Sequence, residues 1–223
     1  MNARLSRDLL YEQVARIGKA VSSPKRLELL ELLAQGEKTV EALAAELSID
    51  IKLTSAHLKA LRDARLVTSQ RDGKFMIYRL SGHDVAPLCV MLREVAEAHL
   101  VELRVALNQM VANPARLASI GREALLAQAR RGDVVVIDVR PQAEYDAAHL
   151  PFARSMPLEE IERRLAELPR DKEIVAYCRG PFCLLSDEAV ALLGARGYRV
   201  TKIADGVSEW QAAGLPLETS DAA

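Results

Sequence analysis

A mainly helical domain followed by an α/β domain with a mostly parallel sheet is the fold class this sequence predicts, and three observations predict it. Apolar residues recur at helical spacing through most of residues 5–64. The pattern changes to alternation in LVTSQRDGKFMIYRL, residues 66–80, around Asp72-Gly73, a strong two-residue hairpin signal. Beyond Asn113-Pro114, apolar runs of strand length interleave with helical patterns, as in a parallel sheet covered on both faces. A chain of 223 residues is long enough for two domains with separate cores. They are expected at 1–112 and 113–223, with the linker at 111–118.

The first helix is expected over Leu5–Val21, with Leu9, Leu10, Val14, Ile17 and Val21 on one stripe. Ser22-Ser23-Pro24 ends it and starts the next, since Ser23 can cap and proline fits the first helical position. That second helix runs to Gly36. Thr39 caps the short helix VEALAAEL, and Ser48 or Asp50 introduces another from Ile51 to Ala64. After the hairpin a single long amphipathic helix is expected over His83–Met110. In the second half VVVID (134–138), EIVAYC (173–178) and YRVTKI (198–203) read as strands, with helices at 119–131, 158–168 and 184–196.

Half the residues are hydrophobic and 27% are charged, a globular composition. The net charge of −1 hides an asymmetry. Residues 1–112 hold sixteen basic and fourteen acidic side chains, whereas 113–223 hold fourteen and seventeen. Between Ile51 and Leu80 seven basic residues face two acidic ones, and such a local stripe suits a polyanion. Three cysteines, Cys89, Cys178 and Cys183, are too few for a disulfide scaffold and suit reactive-thiol chemistry in a reducing compartment. No apolar run approaches the roughly 18 residues of a membrane span, and the N-terminus lacks a signal-peptide core. A cytoplasmic location, without a membrane partner, is expected.

Short helix, turn, basic helix and charged hairpin follow the plan of a winged helix-turn-helix. Its second helix enters the major groove of double-stranded DNA with its N-terminal residues at the base edges. Here those are Lys52, Thr54, Ser55, His57 and Lys59, with Arg62 further along, while Leu53, Leu58 and Leu61 form the buried side. Arg71 and Lys74 at the wing are set for phosphate or minor-groove contact.

The run ALAAEL…HLKALRDARLVTSQRDGKFMIYRL resembles the ArsR-type repressor family over residues 10–110. The resemblance implies a homodimer built from helices 5–21 and 83–110, suited to a palindromic operator. Where members of that family carry metal-binding cysteines, this sequence reads TVEALAAEL. Of the family's second metal site only His99 and Glu102 fit. A transition-metal site needs three or four converging ligands, so neither metal nor cofactor is expected. Cys89 lies among Val85, Leu88 and Leu92 and reads as a packed core thiol, with a redox partner near the dimer interface as the alternative.

In the second half EIVAYC ends in Cys178, followed by Arg179, Gly180, Pro181, Phe182 and Cys183, then a helix. A thiol between a strand end and a helix N-terminus faces backbone N–H groups and the positive end of the helix dipole, which lower its pKa. VVVIDVRPQAEYDAAHLPFARSMP, YCRGPFC and DGVSEWQAAGLP, in that order, resemble the rhodanese superfamily over 118–218. The resemblance implies sulfurtransferase chemistry: Cys178 takes sulfur from a sulfane-sulfur donor, holds it as a persulfide and passes it to a thiol acceptor. The loop amides of 179–183, with Arg179, would cradle the terminal sulfur. Asp138, Arg140 and Glu144 are expected to form a structural charge network, and His149 is read as structural. Oxyanion chemistry of the Cys-x5-Arg kind is excluded because position 184 is leucine. Cys183 reads either as a resolving thiol or as a small residue filling the first helical turn.

Together these readings predict a DNA-binding repressor whose operator affinity follows reactive sulfur or redox state. The alternative is a sulfurtransferase for which the helix-turn-helix serves localisation or dimerisation.

Overall fold

The structure, a computed structural model, describes residues 3–110, 116–118 and 120–220. The chain divides into two compact units, Met1–Cys89 and Val90–Ala223. Most of the expected linker, 111–115 with its Asn113-Pro114 break, lies outside the described residues. No helix among the described residues is long and apolar enough to cross a membrane.

The elements in chain order are α1 (Ala3–Val21), α2 (Pro24–Leu33), β1 (Lys38–Thr39), α3 (Val40–Leu47), α4 (Ile51–Asp63), β2 (Val67–Asp72), β3 (Phe75–Leu80), α5 (Val85–His99) and α6 (Val101–Met110). They continue with α7 (Arg122–Arg131), β4 (Val134–Asp138), α8 (Gln142–Ala147), β5 (Arg154–Ser155), α9 (Ile161–Arg164), β6 (Glu173–Tyr177), α10 (Leu185–Ala195), β7 (Val200–Lys202) and α11 (Val207–Ala212).

In the first unit the core gathers Leu29, Leu30 and Leu33 of α2, Leu43 and Leu47 of α3, Leu58 and Leu61 of α4, and Tyr78 of β3. Cys89 packs against this cluster. Ser23 stands at the N-cap of α2 with Pro24 after it, but its hydroxyl makes no capping bond; its carbonyl accepts from Leu27 instead. Thr39 does cap α3, accepting the Ala42 N–H at 3.2 Å. Asp50, not Ser48, caps α4; Ser48 ends α3 in the left-handed region at φ 52°. The wing is a three-stranded antiparallel sheet of order β1-β3-β2. Asp72 pairs with Phe75, so the two-residue turn is Gly73-Lys74, one residue later than expected. Gly73 adopts φ 55°, a conformation that glycine reaches without strain.

The expected helix over 83–110 is two helices, broken at Leu100. Hydrogen bonds continue on both sides of the break, Leu100 N to Ala96 O at 2.7 Å and Arg104 N to Leu100 O at 3.4 Å. It is a one-residue interruption. The division between the units falls inside α5, and α6 buries no side chain.

The second unit is a four-stranded sheet, all parallel, of order β5-β4-β6-β7. One core holds Ile137, Ile174, Ala176, Ala189 and Leu193, and another holds Val136, Val175, Tyr177 and Trp210. Adjacent residues of β4 and β6 divide between the two, as the period of a strand requires when both faces are covered. The helix expected at 158–168 is instead a 3₁₀ turn, the single turn α9 and a second 3₁₀ turn.

Candidate functional site

Asp50 sets the start of α4 by accepting the N–H groups of Lys52 at 2.7 Å and Leu53 at 3.3 Å. Thr54, Leu58 and Leu61 lie at i, i+4 and i+7 and form its buried stripe. Two expectations are corrected here. Thr54 is 0% exposed, with its hydroxyl bound to the Asp50 carbonyl at 3.0 Å, so it cannot reach a base edge. Leu53, expected in the core, is 47% exposed. The buried stripe begins one residue later because Leu58 and Leu61 set its phase, and Thr54 shares that phase while Leu53 does not.

Lys52, Ser55, Lys59 and Arg62 are exposed and His57 is half-buried. Lys59 pairs with Asp63 at 2.8 Å, and Arg62 reaches Ser69 Oγ at 3.4 Å. At the wing tip Arg71 and Lys74 are exposed. Arg71 Nε donates to the Gly73 carbonyl at 3.1 Å, and Lys74 Nζ stands 5.1 Å over the Phe75 ring. A Thr54→Val exchange is expected to cost about 0.5–1.5 kcal/mol, the usual worth of one hydrogen bond, and to leave sequence preference on DNA unchanged. Thermal unfolding beside a binding-site selection checks both halves; altered preference would return Thr54 to the interface.

In the second unit, β6 delivers Cys178 to the foot of α10. The thiol is buried, only 2% exposed. Its Sγ lies 3.3 Å from the Cys183 carbonyl oxygen, 3.3 Å from Ser186 Oγ and 3.9 Å from the Gly180 carbonyl oxygen. Hydrogen bonding from Cys183, ahead of that from Ser186 and against the opposing effect of burial, holds the Cys178 thiol down at about 6. The same contact, with burial, pushes the Cys183 thiol up. The two sulfurs therefore share one proton, which stays on Cys183.

The polar contacts come from both ends of the loop rather than from an even ring of amides 179–183. Cys183 N–H closes the turn on the Gly180 carbonyl at 3.1 Å. Phe182 and Leu184 face solvent, whereas Cys178 is buried with its sulfur against Gly180, Cys183 and Ser186, so its own loop and the first turn of α10 cover it. Gly180 adopts φ 147°, and a Cβ there would stand 3.1–3.2 Å from the Glu209 carboxylate oxygens. At Gly206 a Cβ would meet the Arg179 and Cys178 carbonyls at 2.4 and 2.6 Å. Both positions require glycine.

Arg179 was expected over the sulfur. Its guanidinium instead forms a two-pronged pair with Glu144, at 2.9 and 2.5 Å, which balances its charge. Pro181 shapes the same turn between Gly180 and Phe182. Asp138 and Arg140, both fully buried, bond each other through Nε at 2.9 Å and Nη2 at 2.5 Å. Burial is the largest single influence and acts against the Arg140 charge, but the Asp138 bond and the charges of Asp138, Tyr177 and Glu144 together outweigh it, and its pKa is raised. Tyr177 Oη donates to Asp138 at 2.5 Å and accepts from Leu150 N at 3.1 Å. His149 stacks on Tyr145 with centroids 3.7 Å apart, and its Nδ1 meets the Tyr145 carbonyl at 2.8 Å.

Sequence reasoning missed Ser186, Glu209 and Arg93. Glu209, buried, accepts from Gly206 N at 2.6 Å and pairs with Arg93 of α5 at 2.8 Å, all within the second unit. The Arg93 guanidinium carbon also stands 5.8 Å from the Phe182 ring centroid. Ser186 had a signal, as a serine in the first turn after a thiol loop. Arg93 and Glu209 are 116 positions apart and had none.

Residues 23–69 match the bacterial regulatory protein arsR family, and residues 122–213 match the rhodanese-like domain family. The chain is 42% identical to the HTH-type transcriptional regulator Rv0324 of Mycobacterium tuberculosis, over 94% of this chain and 92% of that protein. It is 36% identical to a sulfurtransferase of Allochromatium vinosum, over 38% of this chain and 78% of that one. Among solved structures, a homodimeric winged helix-turn-helix DNA-binding domain (fragment 1–100) of Mycobacterium bovis, a possible ArsR-family regulator, is 41% identical. It covers 46% of this chain and 93% of its own, with a TM-score of 0.42.

Proposed function

Because this chain belongs to the arsR family of transcriptional regulators and carries a rhodanese-like domain in the same polypeptide, we propose that it is a repressor whose operator affinity responds to sulfane sulfur accepted at Cys178. The observation that carries the reading is the Cys178 site: a thiol held down at about 6 between the end of β6 and the foot of α10. A thiol ionised at neutral pH attacks a sulfane sulfur, and the Ser186 and Gly180 amides suit the persulfide anion that results. A persulfide is larger than a thiol, and under a closed loop the added atom displaces the segment that carries Phe182. Arg93 meets that ring, so α5 is the element that feels the change.

On the DNA side, Lys52, Ser55 and His57 face base edges, and Lys59, Arg62, Arg71 and Lys74 meet phosphates. Leu53 beside them suits a thymine methyl group. The operator is palindromic, because the protein pairs as a homodimer through the apolar side chains left exposed on α1 and α5: Leu9, Leu10 and Val14, with Leu88, Met91 and Val95. Val14 is 68% exposed, so Val14→Glu costs a monomer little and places a charge in the pairing face. Light scattering should find Val14→Glu monomeric at concentrations where the wild type is dimeric; an unchanged dimer would move the interface elsewhere.

Electrophoretic shift with and without inorganic polysulfide, on wild type and Cys178→Ser, tests the central reading. The wild-type operator Kd should change by about 5- to 150-fold, the usual range of coupling between two sites, and the variant should not respond. Equal affinity in all four conditions overturns the proposal.

A second reading rests on the likeness to the sulfurtransferase: an enzyme that turns over a sulfane-sulfur donor and a thiol acceptor, with the helix-turn-helix localising it. Thiocyanate formation from thiosulfate and cyanide at an ordinary enzymatic rate, without operator binding, would favour it. The covering of Cys178 by its own loop favours slow acceptance over turnover.

A further inference from the structure

Resting on the reading of Cys178 as sulfur acceptor, we infer that Cys183 is a second reacting thiol, which resolves the Cys178 persulfide into a Cys178–Cys183 disulfide and releases sulfide. Three observations carry this. The two cysteines close one tight turn, with Cys183 N–H on the Gly180 carbonyl at 3.1 Å and the Cys183 carbonyl oxygen 3.3 Å from Cys178 Sγ. Cys183 packs against the core cluster that contains Cys178, and the two thiols shift each other's pKa in opposite directions, Cys178 down and Cys183 up. Both are free thiols, the inner buried and the outer half-exposed. The pair is therefore poised but unjoined.

The chemistry balances in two steps. The Cys178 thiolate attacks a sulfane sulfur of the donor, whose S–S bond breaks, and the sulfur remains on Cys178 as a persulfide anion. The Cys183 proton then passes to the terminal sulfur while Cys183 Sγ bonds to Cys178 Sγ. The bond from Cys178 to the sulfane sulfur breaks, and that sulfur leaves as HS⁻. The sulfane sulfur is reduced to sulfide, and the two cysteine sulfurs are oxidised to the disulfide. No oxidant beyond the donor is needed. A proton held on Cys183 is what the leaving sulfide requires. The disulfide would shorten the span from β6 to α10, pull on the segment bearing Phe182, and last until a thiol reductant opens it.

The test uses the full chain, reduced and then exposed to inorganic polysulfide, as wild type, Cys183→Ser and Cys178→Ser. Intact mass, peptide mapping and released sulfide are read together. The wild type should become lighter by two hydrogens, yield a cross-linked peptide joining Cys178 and Cys183, and release sulfide in excess of Cys183→Ser. Cys183→Ser should instead retain one added sulfur atom on Cys178. A wild type that also keeps the added sulfur, or that forms its cross-link through Cys89, overturns the resolving role and leaves the acceptor role standing. If neither the wild type nor Cys183→Ser takes up sulfur or forms the bond, the acceptor reading itself is overturned.

Discussion

Replacing Arg140 by methionine should destabilise the second unit by about 3–5 kcal/mol, the cost of leaving one partner of a buried ion pair alone. Arg140 and Asp138 are both fully buried, and the guanidinium also donates to the Ala148 carbonyl at 2.8 Å. Without it, the Asp138 carboxylate at the end of β4 keeps the Tyr177 hydroxyl and the Arg140 amide, at 2.5 and 3.0 Å, but no counter-charge. The chain has a single tryptophan, Trp210, buried in this unit, so urea denaturation followed by its fluorescence reports the second unit alone. Adding Asp138→Asn to Arg140→Met should recover part of the loss. A midpoint unchanged by Arg140→Met would mean that the pair contributes nothing to stability.

The second large effect concerns the thiols. The rate of Cys178 alkylation by a small neutral reagent should rise through a midpoint near pH 6 in the wild type, since only the thiolate reacts and it predominates above its pKa. Cys183→Ala removes the foremost cause of the lowered value while leaving the Ser186 contact in place. Its midpoint should move up toward that of an ordinary cysteine, near 8.5. Each unit of that shift lowers the thiolate fraction about tenfold at a pH below both values. Cys183→Ser, which keeps a donor, should fall between the two. Coincident profiles for the wild type and Cys183→Ala would show that the amides and Ser186 alone hold the thiol down. Peptide mapping separates Cys178 from Cys89 and Cys183. The covering loop slows every profile by a common factor without moving its midpoint.

These two sites differ in how far they were legible beforehand. Cys178 was readable because its surroundings are local: a strand end, a five-residue loop and a helix start within ten positions. Its partner Cys183 lies in the same loop and was found by the same reading, with its role left open. The Asp138–Arg140 pair is two residues apart in sequence and was expected in a structural network. Its third member, Tyr177, comes from a neighbouring strand 39 positions away and was not foreseen. Glu144 was grouped with them; its charge acts on Arg140, and it also pairs with Arg179. Helix α4 shows the limit differently. HLKALR gave away a helix and its polarity, yet the phase of the buried stripe rests on which face meets α2 and α3. That face took Thr54 and left Leu53 outside.

By itself the amino-acid order determined that there are two domains, one winged and basic at its recognition helix, one with parallel strands and a thiol at a strand end. It could do so because side-chain period, caps and turn residues act between positions a few places apart. Only the tertiary structure decided that Tyr177 joins Asp138 across neighbouring strands and that Arg93 finds Glu209. Those pairings join segments that chain packing brings together, and no local pattern of hydrophobicity or charge encodes a partner a hundred residues away.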